Sequence, residues 1–293
     1  MLAGVGLQRV KAFPPNAYVA LNQFVIYISL PGLALYYIPK IAVSIKLLYP
    51  LGVAWLSFAL ALVFFITLSK IFGWSRKLTG CLILTGGLGN TAFVGFPVIE
   101  ALYGKEGLET AIIVDQPGTF VVMATLGIIV ATAYSRGVTG TASIAKKIIL
   151  FPPFVAFFAG ACMNVFNFDF IEAIQSVLLR LGSTVTPVAL VAVGMQLKID
   201  VKSKHWNFLA LGLFFKLMIM PAFFFILYKL VLKGQGIETE VSVMEAAMAP
   251  MITASILASS HGLKPRLSGM MIGVGIPLSF LTLAFWYWLL HNY

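Results

Sequence analysis

Charge is what this sequence has least of. Only 10% of its 293 residues are Asp, Glu, Lys or Arg while 60% are hydrophobic, and the mean hydropathy is +0.98. A soluble domain carries roughly a quarter charged residues, so that class is excluded. Acids are scarcer still, ten in all, which leaves little material for an acidic metal cage. The two cysteines, Cys81 and Cys162, lie far apart in apolar stretches and supply neither a disulfide framework nor a metal-ligand cluster. The three histidines, His205, His261 and His291, fall in loops or at span ends, without the convergent His, Asp or Ser groups that an integral membrane enzyme needs. No enzymatic activity, metal or cofactor is expected. "GGLG" at residues 86–89 is not followed by Gly-Lys-Ser/Thr and is not a phosphate loop. The N-terminus has no charged leader followed by a small-residue cleavage site, so a cleavable signal peptide is not expected.

What the sequence does have is long apolar runs separated by short basic or turn-rich joints. Their length, about 20 residues, suits membrane-spanning helices rather than the roughly ten-residue alternation of an outer-membrane barrel. An all-α integral membrane protein follows. The first half gives Leu2–Val10, Tyr18–Ile38, Leu51–Phe72, Gly80–Tyr103 and Thr110–Tyr134; the second gives Ile148–Phe166, Ile171–Leu197, Trp206–Leu232, Val241–Ser260 and Leu267–Leu290. The first of these is too short to cross a bilayer.

The net charge of +10 could point to nucleic acid, but its distribution has a simpler cause. Thirteen of the 20 Lys and Arg fall on alternate loops, from Arg9 and Lys11 to Lys264 and Arg266, five fall on the opposite loops, and Arg180 and Lys216 lie within spans. Positive residues collect on the cytoplasmic side. The bias places both termini on the non-cytoplasmic side of the cell membrane and removes any need for a nucleic-acid partner.

Prolines recur between the halves. Pro31 is matched by Pro187, 156 residues on, Pro97 by Pro250, 153 on, and Pro117 by Pro277, 160 on. Each half therefore has a proline in its second, fourth and fifth span. Five is an odd number, so the second half enters the membrane with opposite polarity, the inverted repeat of many transporters. Residues 1–134 form the first repeat, 135–147 a cytoplasmic linker, and 148–293 the second repeat.

"GLGNTAFVGFP", residues 87–97, lies within the fourth span. Its glycines lower the cost of unwinding, and its proline removes a donor and clashes with the preceding turn, so the helix should divide between Asn90 and Phe96. Irregular backbone at membrane depth survives only when buried in protein or lining a wet cavity. Pro97 would then open an outward half-helix. Pro250 would open another from the opposite direction, with Met251, Ile252 and Thr253 offering free N–H groups. Opposed N-termini attract an anion, and Asn90, Thr91 and Thr253 add side-chain partners, with Gly95 inside the loosened stretch.

Lys216 lies deep in the eighth span, where an ammonium costs about 2.5–3.5 kcal/mol on insertion scales. Either it neutralises a carboxylate, of the substrate or of the protein, or it pairs permanently with an acid or broken-helix carbonyls and ties the eighth span to the ninth. Asp115, ahead of Gln116-Pro117, is the leading candidate for a protonatable coupling group, because a low-dielectric site favours the uncharged carboxyl. Glu245, just before Pro250, is the second, and Glu100 lies nearer an interface. For all three the alternative is a helix-end acid in contact with water.

These residues resemble the auxin efflux carrier family, which includes plant PIN-type exporters and bacterial permeases assigned to malate or malonate. The resemblance is carried by "NQFVIYISLPGLAL" (22–35), "GNTAFVGFPVIEALYG" (89–104), "VALVAVGMQLK" (188–198), "KLMIMPAFF" (216–224), "MAPMITASILASSHG" (248–262) and "GIPLSFLTLAFW" (275–286). It covers nearly the whole chain. It implies ten helices in two inverted five-helix repeats, similar to bile-acid sodium symporters and sodium/proton antiporters, with spans 1, 2, 6 and 7 as scaffold and spans 3–5 and 8–10 as a moving transport domain. It also implies a substrate carboxylate bound at the crossover, a role falling on Asn90, Thr91, Pro97 and Pro250, and a homodimer through the scaffold. Family members begin with a complete first span, whereas only Met1–Val10 precedes "KAFPPN"; either the chain starts late or its scaffold is shortened. The ninth span is poorer in glutamine and proline than in plant carriers, which points away from auxin and towards a small mono- or dicarboxylate. The expectation is a secondary transporter of small organic anions working by alternating access. A sodium-coupled symporter of the bile-acid type is the main rival, and a channel is disfavoured because one buried site suits occlusion better than continuous flow.

Overall fold

The computed structural model describes residues 2–14, 16–41, 45–135, 152–196 and 205–292. The expected linker beyond residue 135, the start of the sixth span and the end of the seventh lie outside them, as do Arg136, Lys146, Lys147, Lys198, Lys202 and Lys204.

Among the described residues the fold is all-helical, and its one β-bridge is an isolated pair between Gly89 and Pro250. The helices are α1 (Leu2–Leu7), α2 (Ala17–Lys40), α3 (Leu48–Phe72), α4 (Arg76–Gly87), α5 (Thr91–Tyr134), α6 (Pro152–Val165), α7 (Glu172–Gly182), α8 (Val185–Gln196), α9 (Trp206–Val231), α10 (Ile237–Ala246), α11 (Ile252–Ser260) and α12 (Pro265–Asn292). Six apolar stretches are long enough to cross a membrane: α2, α3, α5, α7 with α8, α9 and α12. The fourth and ninth expected spans are shorter because the chain interrupts them. The fourth divides at Leu88–Asn90, the ninth at Ala247–Met251, and the seventh turns at Ser183 and Thr184. Within α5, Gly104 at φ +65° makes a turn that a side chain would strain.

Several helices widen to π-turns near a proline: residues 25–29 before Pro31, 91–95 before Pro97, 114–120 around Pro117 and 215–219 before Pro221. The cause is visible at Pro221. It has no N–H for the Leu217 carbonyl one turn back, and the indole Nε1 of Trp286 on α12 donates to that oxygen instead, at 2.9 Å. Pro277 lies inside α12 without such a widening, and residues 123–127 and 225–231 widen without a proline.

α2 is the centre of one group of contacts. It packs on α6, α7 and α8, with Gly32 against the Leu178 carbonyl and Gly182 against Leu33. Asn164 Nδ2 of α6 lies within hydrogen-bonding distance of the Ile38, Pro39 and Ile41 carbonyls at the end of α2, where the Ile38 carbonyl also accepts the Ile41 N–H at 3.3 Å. The short α1 lies on α8, where Gly4 is so close to the Val191 carbonyl that no side chain fits. A second group packs α3 against α4, α5 and α10, and α11 against α12 and α4. α5 touches both groups.

Candidate functional site

Where α4 and α10 stop, their chains run extended past each other. The Asn90 N–H donates to the Ala249 carbonyl at 2.7 Å and the Met251 N–H to the Leu88 carbonyl at 3.0 Å. These two bonds satisfy backbone that the interrupted helices leave open, which hydrocarbon could not do. They also differ from the sequence expectation in one respect: the Met251 amide is not free, because it is committed to Leu88.

Each chain then turns into a new helix, and both starts face one cavity of about 70 Å³, lined by Asn90, Thr91, Phe93, Asp115, Met251 and Thr253 among others. At about 10–15 Å³ per water on this measure, it has room for roughly five waters or a small solute. α5 starts at Thr91 with Asn90 as its cap: Asn90 Oδ1 accepts the Phe93 N–H at 3.2 Å. Pro97 is therefore not in the first turn, as its sequence position suggested. It follows the π-turn, in which the Gly95 N–H reaches back to the Asn90 carbonyl and that of Phe96 to the Thr91 carbonyl. α11 starts at Ile252, and Met251 before it offers no side-chain cap.

Capping fixes which way the Asn90 amide points. With Oδ1 on the Phe93 N–H, its NH₂ is buried and has no hydrogen-bond partner among the described residues. Asp115 shares the cavity. Its Oδ1 accepts from Thr91 Oγ1 at 2.6 Å and its Oδ2 from Gln116 Nε2 at 2.9 Å. Gln116 was not singled out from the sequence, although a glutamine between Asp115 and Pro117 in an apolar run was a signal. Its Oε1 is buried and has no hydrogen-bond partner among the described residues. The rest of the lining is apolar and includes Ile26 and Leu30 of α2 and Phe120 and Met123 of α5.

Gly95, Pro97, Pro250, Lys216 and Glu245 do not line this cavity. Pro250 lies in the bridge with Gly89. The Lys216 ammonium, 1% exposed, donates to the Ala246 carbonyl at the end of α10, at 2.8 Å. This hydrogen bond joins the eighth expected span to the ninth. Glu245 lies against Gly95, where a β-carbon would stand 2.6 Å from its Oε2. Glu100 lines a second cavity, of about 280 Å³, with Lys105 and Arg180, and accepts from Thr186 of α8 at 2.6 Å.

The family model described as membrane transport protein matches residues 1–143 and 138–287. An uncharacterized transporter of Methanocaldococcus jannaschii is 29% identical over 282 residues, covering 93% of this chain and 89% of that protein. A second uncharacterized transporter, of Methanothermobacter thermautotrophicus, is 29% identical over 198 residues, covering 67% of this chain and 63% of its own.

Proposed function

The chain belongs to the membrane transport protein family, and we propose that it is a secondary transporter that carries small mono- or dicarboxylates through the cavity at the crossover. The observation that supports this most is the convergence of two helix N-termini and the unpartnered Asn90 amide on one buried space. Each helix start is equivalent to about half a positive charge with amide hydrogens to offer. A carboxylate bound there would take Asn90 Nδ2 and the first amides of α11, with the Thr253 hydroxyl as a further partner.

Asp115 gives this reading its coupling. The crossover region holds two buried carboxyls, Asp115 and Glu245, and one buried ammonium, Lys216. An arriving anion would add a further negative charge beside Asp115, so binding is favoured when a proton neutralises that carboxyl, and proton and anion travel together. Alternating access is supported by the cavity's position, because α2 supplies one wall and the α5 and α11 starts the other. In this reading the group around α2 is the scaffold, paired as a homodimer, and the group around α3, α9 and α12 carries the site. Contacts between residues far apart in sequence support the inverted repeat: Ser29 with Thr184 at 2.7 Å, and Gly89 with Pro250.

The test is counterflow in proteoliposomes with a panel of mono- and dicarboxylates. Exchange of at least one is expected, and exchange of none would contradict the proposal. Asp115→Asn should keep counterflow but lose accumulation driven by a proton gradient. Retained proton-driven accumulation would remove Asp115 from the coupling.

A further inference from the structure

At the crossover, among residues that do not line the cavity, α10 ends in an unusual way. The amide of Ala247 satisfies the Val243 and Met244 carbonyls, and that of Met248 satisfies Glu245. The remaining carbonyl of the last turn, Ala246, is taken by the Lys216 ammonium. This is the negative end of the helix dipole, where a cation is stabilised. In broken-helix transporters such half-helix ends and unwound carbonyls hold coupling cations. Glu245 lies one residue earlier, 1% exposed, with neither carboxyl oxygen hydrogen-bonded among the described residues. No ion pair within 4.0 Å joins it to Lys216 among those residues. The ammonium also lies close to the other broken segment: a β-carbon on Gly89 would stand 3.3 Å from Nζ. One side chain from α9 thus sets a positive charge on one interrupted chain and close to the other, near a carboxyl that has no cation within 4.0 Å among the described residues.

We propose that Lys216 is a built-in cation. Its ammonium takes the place that a bound sodium ion would otherwise fill, on the Ala246 carbonyl and near the Glu245 carboxyl, so that the crossover is assembled without a metal ion and transport is independent of sodium. This rests on the reading of the crossover as the transport site and specifies how it is held together. An ammonium on a flexible stem is a compact point charge, and the carbonyl it holds would be left unpaired in a buried place without it.

The test uses the purified full chain in detergent at neutral pH, with melting followed at fixed ionic strength in sodium, potassium or choline chloride. Wild-type melting should be the same in all three. Lys216→Ala, which keeps the carboxyl and opens the space, should melt lower in choline and regain stability saturably with sodium or potassium. Lys216→Ala/Glu245→Gln, without the carboxyl, should lose that cation response. Should Lys216→Ala not fold, the pair Lys216→Met and Lys216→Met/Glu245→Gln decides: the first melts lower than wild type, and the second recovers because the uncompensated charge is gone. Saturable stabilisation of the wild type by sodium, a folded Lys216→Ala indifferent to all three salts, or no recovery in the double variant would each overturn the proposal. The readout needs no substrate, so its failure leaves the anion site standing, whereas absence of counterflow contradicts the anion reading alone.

Discussion

At Asn90 the helix cap and the proposed carboxylate donor can be separated. The residue lines the cavity, its Oδ1 caps α5 and its NH₂ has no hydrogen-bond partner among the described residues. Asn90→Asp keeps an acceptor for the Phe93 amide and replaces the free donor by a negative oxygen. Melting should stay within about 1 kcal/mol of wild type, the usual worth of a cap. Carboxylate affinity should fall about tenfold or more, since a hydrogen bond to a charged group is worth about 1.5–3 kcal/mol; scanning calorimetry reads the first and calorimetric titration the second. Gly95 tests the packing behind the site. With Glu245 Oε2 only 2.6 Å from a β-carbon there, Gly95→Ala should destabilise by about 1–3 kcal/mol, the cost of overpacking, seen as a lower melting temperature. The depth of Lys216 was legible in the sequence because an isolated cation stands out in an apolar run. Its direction was not, because the π-turn at residues 215–219 rotates the helix there and the acceptor on Ala246 is 30 residues away.

Among elements, the prolines were the most readable feature, and what they marked differed from expectation. The sequence located an interruption near residues 87–97, yet Pro97 follows a π-turn rather than opening a helix. The start is fixed two ways: by the Asn90 cap and by backbone bonds to Ala249 and from Met251. Those bonds join segments about 160 residues apart, and no local pattern encodes such a pairing. The same logic gives a prediction at α9 and α12. Trp286→Phe removes the donor to the Leu217 carbonyl and should cost about 1–3 kcal/mol, as for a buried acceptor left unpaired. Adding Pro221→Ala supplies an amide one turn away and should restore part of that loss in thermal unfolding. If the double variant melts no higher than Trp286→Phe, the explanation of that π-turn fails.

For the molecule as a whole, composition alone excluded a soluble fold, and spacing gave the apolar stretches. Which helices pack into which group was not legible in composition or spacing, because it depends on contacts between distant segments. The Glu100–Thr186 hydrogen bond joins α5 to α8 across the boundary proposed to slide. Cysteines at these two positions, in a chain with Cys81 and Cys162 replaced, joined by a short bifunctional thiol reagent, should stop counterflow, and cleaving the link should restore it. Unchanged counterflow in the linked protein would mean that α5 and α8 do not move apart.

The most direct measurement is titration of the purified wild type and Asn90→Asp with one carboxylate that exchanges in proteoliposomes. The crossover account predicts saturable binding to the wild type and a loss of about tenfold or more in the variant at unchanged melting temperature. Equal affinity in both proteins would contradict it.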